Sequence, residues 1–300
     1  MKPNGLKNKT RENHKIDGLS PDANKLRGHS EIINVETLTK NIDLAWETTR
    51  TPAEFRSKLL VIFRTTLSEG SNFIQDRFLS NNDGAEAVLA QAYLMDSLIK
   101  AALETVNTKL YRAPNPTRGE QLCIIAVGGY GRGELAPFSD IDLLFLLPYK
   151  QTPRVEQVVE TILYLLWDMK LKVGHSTRSI DECMRQAKAD MTVRTAILES
   201  RYICGEISLM EQMIARFREE IIKGSALEFV EAKLKESDDR HRQLGDSRYV
   251  IEPNIKDGKG GLRDLHKLFW IGKYAYKTDD VSALVSEGVL SLDDARRFAK

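Results

Sequence analysis

The sequence predicts an α+β fold: a small mixed sheet with helices packed on it, flanked by helical regions on its N-terminal and C-terminal sides. Three observations carry the prediction. Residues 121–127 (QLCIIAV) and 143–147 (LLFLL) are short, apolar and β-rich, so they read as buried strands. Apolar residues recur at helical spacing over 52–110, and again from Met191 to about His241. The order strand, loop, strand, helix, strand over 121–180 suits a mixed sheet with helices on it.

Bulk composition sets the bounds. Three hundred residues suffice for one large or two modest domains. A content of 42% apolar and 29% charged residues is ordinary for a globular chain. The net charge of +1 advertises no global field for nucleic acid or a membrane. Cys123, Cys183 and Cys204 are far apart without ligand spacing, so they read as small core residues in a reducing cytoplasm. No apolar run approaches the ~18 residues of a membrane span. No apolar segment of a signal peptide stands at the start.

Residues 1–35 are rich in Asn, Lys, Arg and Gly and poor in apolar groups. They bury too little surface to offset ordering, so a disordered, solvated tail is expected. Residues 36–115 form an N-terminal helical region. Phe55, Leu59, Ile62, Phe63 and Leu67, then Phe73 and Phe78, define a helix over 52–80, with Thr51-Pro52 as its start. A second helix covers 83–110, with Val88, Leu89, Ala92, Leu98 and Leu103 inward. The prolines of YRAPNPTRG (111–119) end it.

Residues 116–190 form the core. After its first two strands come a helix over 155–170, a third strand over 171–180 (LKVGHSTRSI) and a helix opened by Asp181. Residues 191–300 read as a helical domain, interrupted at 247–261 by an irregular loop, helical again over 263–276, with a further helix starting at Ser291. That last helix has no capped end before Lys300, so a truncated chain is expected.

Chemistry concentrates in 126–148 (AVGGYGRGELAPFSDIDLLFLLP). Side chains two apart on a strand share a face, so Asp140 and Asp142 project together while Ile141 packs behind them. Two carboxylates on one face repel each other unless a cation sits between them. Magnesium typically takes a couple of carboxylates plus substrate phosphates. Gly128 and Gly129 let a backbone approach a phosphate chain closely. The glycine spacing is not a dinucleotide-binding fingerprint, and no GK[ST] P-loop is present.

An apolar strand, Gly-Gly, about ten residues and Asp-x-Asp together resemble the signature of the DNA-polymerase-β-type nucleotidyltransferase superfamily. The longer string GGYGRGEL-x-P-x-SDIDLL, over 128–144, resembles that of the bacterial PII uridylyltransferases. The resemblance runs from about residue 50 to the end. It implies a polymerase-β-like core in which Asp140 and Asp142 are the catalytic acids and hold two Mg2+ ions. It places Gly128, Gly129 and Ser139 near the nucleotide phosphates. Arg132 would pair with the triphosphate, or else cap the turn at the surface. The implied reaction moves UMP from UTP to a tyrosine of the nitrogen-regulatory protein PII and releases pyrophosphate. No residue by itself selects uracil.

The superfamily's third carboxylate is expected on the next strand, and residues 171–180 carry no acid. His175 on that strand, or Asp181 just beyond it, is the candidate replacement; His175 reads equally well as a structural histidine. A second anchor, SRYVIEPNIKDGKGGLRD (247–264), resembles the EPN-x-K-x-G-x-GGLRD segment of the same branch. It is expected to close over the site, with Lys256 and Arg263 facing the nucleotide or the protein substrate; an ordinary glycine-rich interdomain loop is the alternative. No histidine is followed by aspartate, so the uridylyl-removing chemistry of an HD-type domain is not expected of this chain, nor are ACT sensor domains. Two other readings stay open: a nucleotidyltransferase with a different acceptor, and an inactive fragment that binds nucleotide and PII. Neither nucleic acid nor a membrane is expected as partner.

Overall fold

In the computed structural model the described residues are 29–113, 117–243 and 254–277, and besides them 252, 284, 285, 288 and 291–293. Helices come first. A single turn, His29–Ile32 (α1), leads into Val35–Thr48 (α2), which Asn34 caps through a bond from the Thr37 amide. Pro52–Asn81 (α3) starts as the sequence predicts, with Thr51 accepting from the Glu54 amide and proline in the first turn. It stops at Asn82, which takes the left-handed conformation. Gly84–Thr105 (α4) runs back along α3 and passes into a π-helical turn, Val106–Leu110. The two helices cross closely at Gly70, where a Cβ would lie 2.8 Å from the methyls of Leu94.

Cys123–Ala126 (β1) enters the core and a one-turn helix, Gly128–Gly131 (α5), follows. Ile141–Leu147 (β2), Pro153–Asp168 (α6), Val173–Ser179 (β3), Ile180–Ala189 (α7) and Met191–Leu198 (α8) succeed one another, then Arg201–Gly205 (β4). Ile207–Phe217 (α9), Ala226–Gln243 (α10) and Leu262–Tyr276 (α11) follow.

The sheet is mixed, in the order β3-β2-β1-β4. β1 runs antiparallel to both β2 and β4, while β2 and β3 are parallel. Helices cover both faces. Ile124, Ala126, Ile141, Leu143, Phe145 and Leu147 pack on the side of α1–α4 and α6. Cys123, Ile125, Leu144 and Leu146 pack on the side of α7–α9 and α11. Alternation along β2 therefore fixes the face of each of its side chains.

Two expectations need correction. The helical run from Met191 to His241 is broken by β4, because five residues between two helices are too short for periodicity to reveal. The expected tail does not reach residue 35: α1 and the start of α2 lie within it, and Ile32 and Ile33 are buried. The rest of the tail, the linker at 114–116, most of 244–253 and the helix from Ser291 past Asp293 lie outside the described residues.

Candidate active site

The acid pair is built as the i, i+2 spacing requires. Asp140 lies exposed just ahead of β2, Ile141 is buried beneath it, and Asp142 is half-buried on the strand. Burial raises the Asp142 carboxyl above its ordinary range, and the Asp140 charge raises it further. The Lys256 ammonium opposes both. The Lys256 charge, on the loop ahead of α11, is thus felt at Asp142.

Two glycines enclose Asp142. Gly128 has a φ of +59°, and a Cβ on it would stand 3.3 Å from Asp142 Oδ2. Gly174 pairs with Asp142 across the β2–β3 ladder, and a Cβ there would stand 2.3 Å from Oδ1. Side chains at either position would crowd the carboxylate oxygens. Two acids whose oxygens are kept approachable fit a hard divalent cation. Among the described residues no cluster of three or more His, Cys, Asp or Glu forms a metal site. The remaining ligands would come from substrate phosphates and water.

The glycine-rich turn rests on a buried polar network. Tyr130 Oη donates to Asp96 Oδ1 at 2.5 Å, and Arg201 Nη1 donates to Asp96 Oδ2 at 2.5 Å. Arg201 Nη2 donates to Asp96 Oδ1 at 3.1 Å and to the Tyr130 carbonyl at 3.2 Å. This ties α5 to α4 and β4. Gly131 makes the same packing possible: a Cβ on it would lie 1.9 Å from the Glu199 carbonyl oxygen. Arg132, next in the chain, donates from Nη1 to Glu199 Oε1 at 2.7 Å, and its buried Nε has no hydrogen-bond partner. Ser139 is exposed in the turn ahead of Asp140, beside Phe138, which takes a φ of +65° and is 96% exposed.

The second anchor is ordered by its own backbone. Asn254 Oδ1 accepts from the amides of Lys256 (3.0 Å) and Asp257 (2.9 Å), and the Arg263 amide donates to the Lys256 carbonyl at 3.0 Å. Asp264 accepts from the Gly260 amide at 2.8 Å and faces His241 Nε2 at 3.1 Å, which locks α11 to α10. Arg263 Nε lies 2.7 Å from Asp257 Oδ1. Burial pushes the His266 imidazole down to about 4, helped by the charges of Arg132, Arg263 and Lys256. The charges of Arg132, Lys256 and Arg263 therefore all bear on His266.

The sequence-derived residues sort as follows. Asp140, Asp142 and Gly128 come together, and the Lys256 charge bears on Asp142. Arg132 and Arg263 join Lys256 through their charges on His266, and Ser139 borders the acids. His266 escaped the sequence reading, because its meaning arises only where α11 meets the glycine turn. Neither candidate for the third ligand reaches the site. His175 pairs with Leu143, on the opposite face of the sheet from Asp142, and its ring lies 5.7 Å from Trp167. Asp181 follows the far end of β3, about 20 Å along the strand direction from Gly174, and it pairs with Arg216 at 2.5 Å.

A mixed sheet presenting an acid pair beside a glycine turn defines a nucleotidyltransferase-type domain. Residues 117–203 match the family described as "Nucleotidyltransferase domain", and residues 228–300 match the family described as "GlnD PII-uridylyltransferase". The chain is 55% identical over 247 residues to a bifunctional uridylyltransferase/uridylyl-removing enzyme of Azospirillum brasilense, covering 82% of this chain and 26% of the relative. A protein of the same name from Rhodospirillum rubrum is 49% identical over 277 residues, covering 92% and 30%. One from Rhodopseudomonas palustris is 48% identical over 257 residues, covering 86% and 28%. The chain belongs to the PII uridylyltransferase family, and it spans about 26–30% of the length of these relatives.

Proposed function

We propose that this chain transfers UMP from UTP to a tyrosine hydroxyl of PII, with release of pyrophosphate. The observation that carries the reading is the Asp140–Asp142 pair, set between Gly128 and Gly174 with the Lys256 charge upon it. The family membership supports UTP and PII as the substrates.

Magnesium held by Asp140 and Asp142 would supply Lewis-acid stabilisation of the attacking oxygen and of the departing pyrophosphate. The chain's own residues do the rest. Gly128 and Gly129 admit the phosphates to the backbone. Ser139 lies beside them. Lys256, Arg263 and Arg132 meet the triphosphate charge, and Glu199 fixes the Arg132 guanidinium in place. A new bond forms between the tyrosine oxygen and the α-phosphorus. The α–β phosphoanhydride bond breaks, pyrophosphate leaves, and the phenol proton passes to solvent. His266, neutral near pH 7, adds no further positive charge and can share a hydrogen bond with the phosphates. Residues 36–115 are a supporting helical region, the core begins near 116, and the segment after β4 carries the closing loop. No helix among the described residues is long and apolar enough to cross a membrane, and we place the protein in the cytoplasm.

The test is an incubation of the chain with magnesium, α-labelled UTP and purified PII. Label on PII is the expected result. Pyrophosphate release without label on PII would point to another acceptor. UTP binding without release would reduce the chain to a nucleotide-binding fragment.

A further inference from the structure

We propose that the outer edge of β3 is the docking strand for the acceptor protein. An extended segment of the acceptor pairs with this edge and presents its hydroxyl side chain toward Asp142. The proposal rests on the transfer reading above and adds where the acceptor sits.

β3 is the terminal strand of the sheet, and among the described residues no strand pairs with its outer side. Its ladder to β2 is unbroken from Ile141↔Val173 to Leu147↔Ser179. The Ile141 amide donates to the Lys172 carbonyl at 2.9 Å. By alternation, residues 172, 174 and 176 turn their backbone groups toward β2, and Val173, His175 and Thr177 turn theirs outward. The seven-residue strand has no proline and no bulge, the usual devices that blunt a free edge. An open edge of this kind is the surface used in β-strand addition.

The edge also leads to the chemistry. Gly174 stands between the outer side of β3 and the Asp142 carboxylate, so no side chain blocks that lane. A paired segment would lie about 10 Å from β2, two strand spacings away, and a tyrosine side chain covers most of that span. The opposite flank is taken: Arg132 is held by Glu199, two residues ahead of β4, and its charge bears on His266 together with those of Lys256 and Arg263. Nucleotide and acceptor would therefore approach the acids from opposite sides, as an in-line displacement requires.

A surface for the segment's other face is present as well. The Tyr164 and Trp167 rings lie 5.6 Å apart, and Trp167 touches His175. Tyr164 is 60% and Trp167 40% exposed. Exposed aromatic rings beside an open strand edge suit a peptide segment more than a small molecule.

Hydrogen exchange on the full chain with magnesium, UTP and PII reads the docking directly. Slowed exchange within 173–179 on adding PII is expected. Thr177→Pro removes one outward amide and no bond to β2. Its KM for PII should rise about tenfold while its Kd for UTP stays unchanged. Protection confined to other segments, absence of PII binding, or an unchanged KM in a folded Thr177→Pro chain overturns the proposal. The transfer reading fails separately. A chain that protects β3 yet moves no label keeps the docking site and loses the reaction; label on PII without β3 protection does the reverse.

Discussion

Gly174 of β3 stands directly across from Asp142 of β2, so close that a Cβ on the glycine would sit 2.3 Å from Asp142 Oδ1. The position on β3 nearest the acids therefore carries no acid and no side chain at all. Gly174→Ala should displace the carboxylate and lower transfer about a hundredfold, the order expected for a misplacement near 1 Å. Gly84→Ala is the control: a Cβ there meets nothing within 4 Å. It should keep full activity and gain a few tenths to about 1 kcal/mol in stability. Pyrophosphate release and urea unfolding on both variants check the pair.

The Tyr130–Asp96–Arg201 network holds the glycine turn against α4 and β4. Arg201→Met would strip Asp96, which is 1% exposed, of its Arg201 ion pair. A loss of about 3–5 kcal/mol is expected. Tyr130→Phe leaves the Arg201 bonds to Asp96 in place and should lose only about 1–2 kcal/mol. Urea titrations of the two variants should keep that order; equal losses would contradict the network's arrangement.

His266 provides a pH signature. Its imidazole titrates at about 4 when folded, below the ordinary histidine value near 6.5. The unfolded chain therefore binds the proton first as pH falls. The stability that depends on neutral His266 is complete above pH ~6.5 and is lost progressively toward pH ~4. His266→Gln should flatten that part of the stability profile. Adding UTP with magnesium should raise the His266 titration point, because phosphate charge offsets Arg132, Lys256 and Arg263. Histidine NMR shifts followed against pH read both effects.

The sequence carried the acid pair because its signal is local: two acids at strand spacing on an apolar run admit one geometry. The helical pair and the first three strands were equally legible from periodicity and from breaker residues. β4 was not, since RYICG between two helices looks like a continuation of either. The role of His175 stayed open because its face depends on the register of β3 against β2, and a shift of one residue reverses every side chain. The buried Asp96–Arg201 pair joins residues far apart in the chain and leaves no local trace.

The central claim is that Asp142 holds the metal for nucleotidyl transfer. The most direct measurement is label transfer from α-labelled UTP to PII by Asp142→Asn beside the unsubstituted chain. Burial and Asp140 already disfavour the Asp142 charge in the fold, so the variant should unfold at the same temperature or slightly higher. With that fold intact, transfer should disappear. Full turnover by Asp142→Asn would contradict the metal assignment and the mechanism built on it.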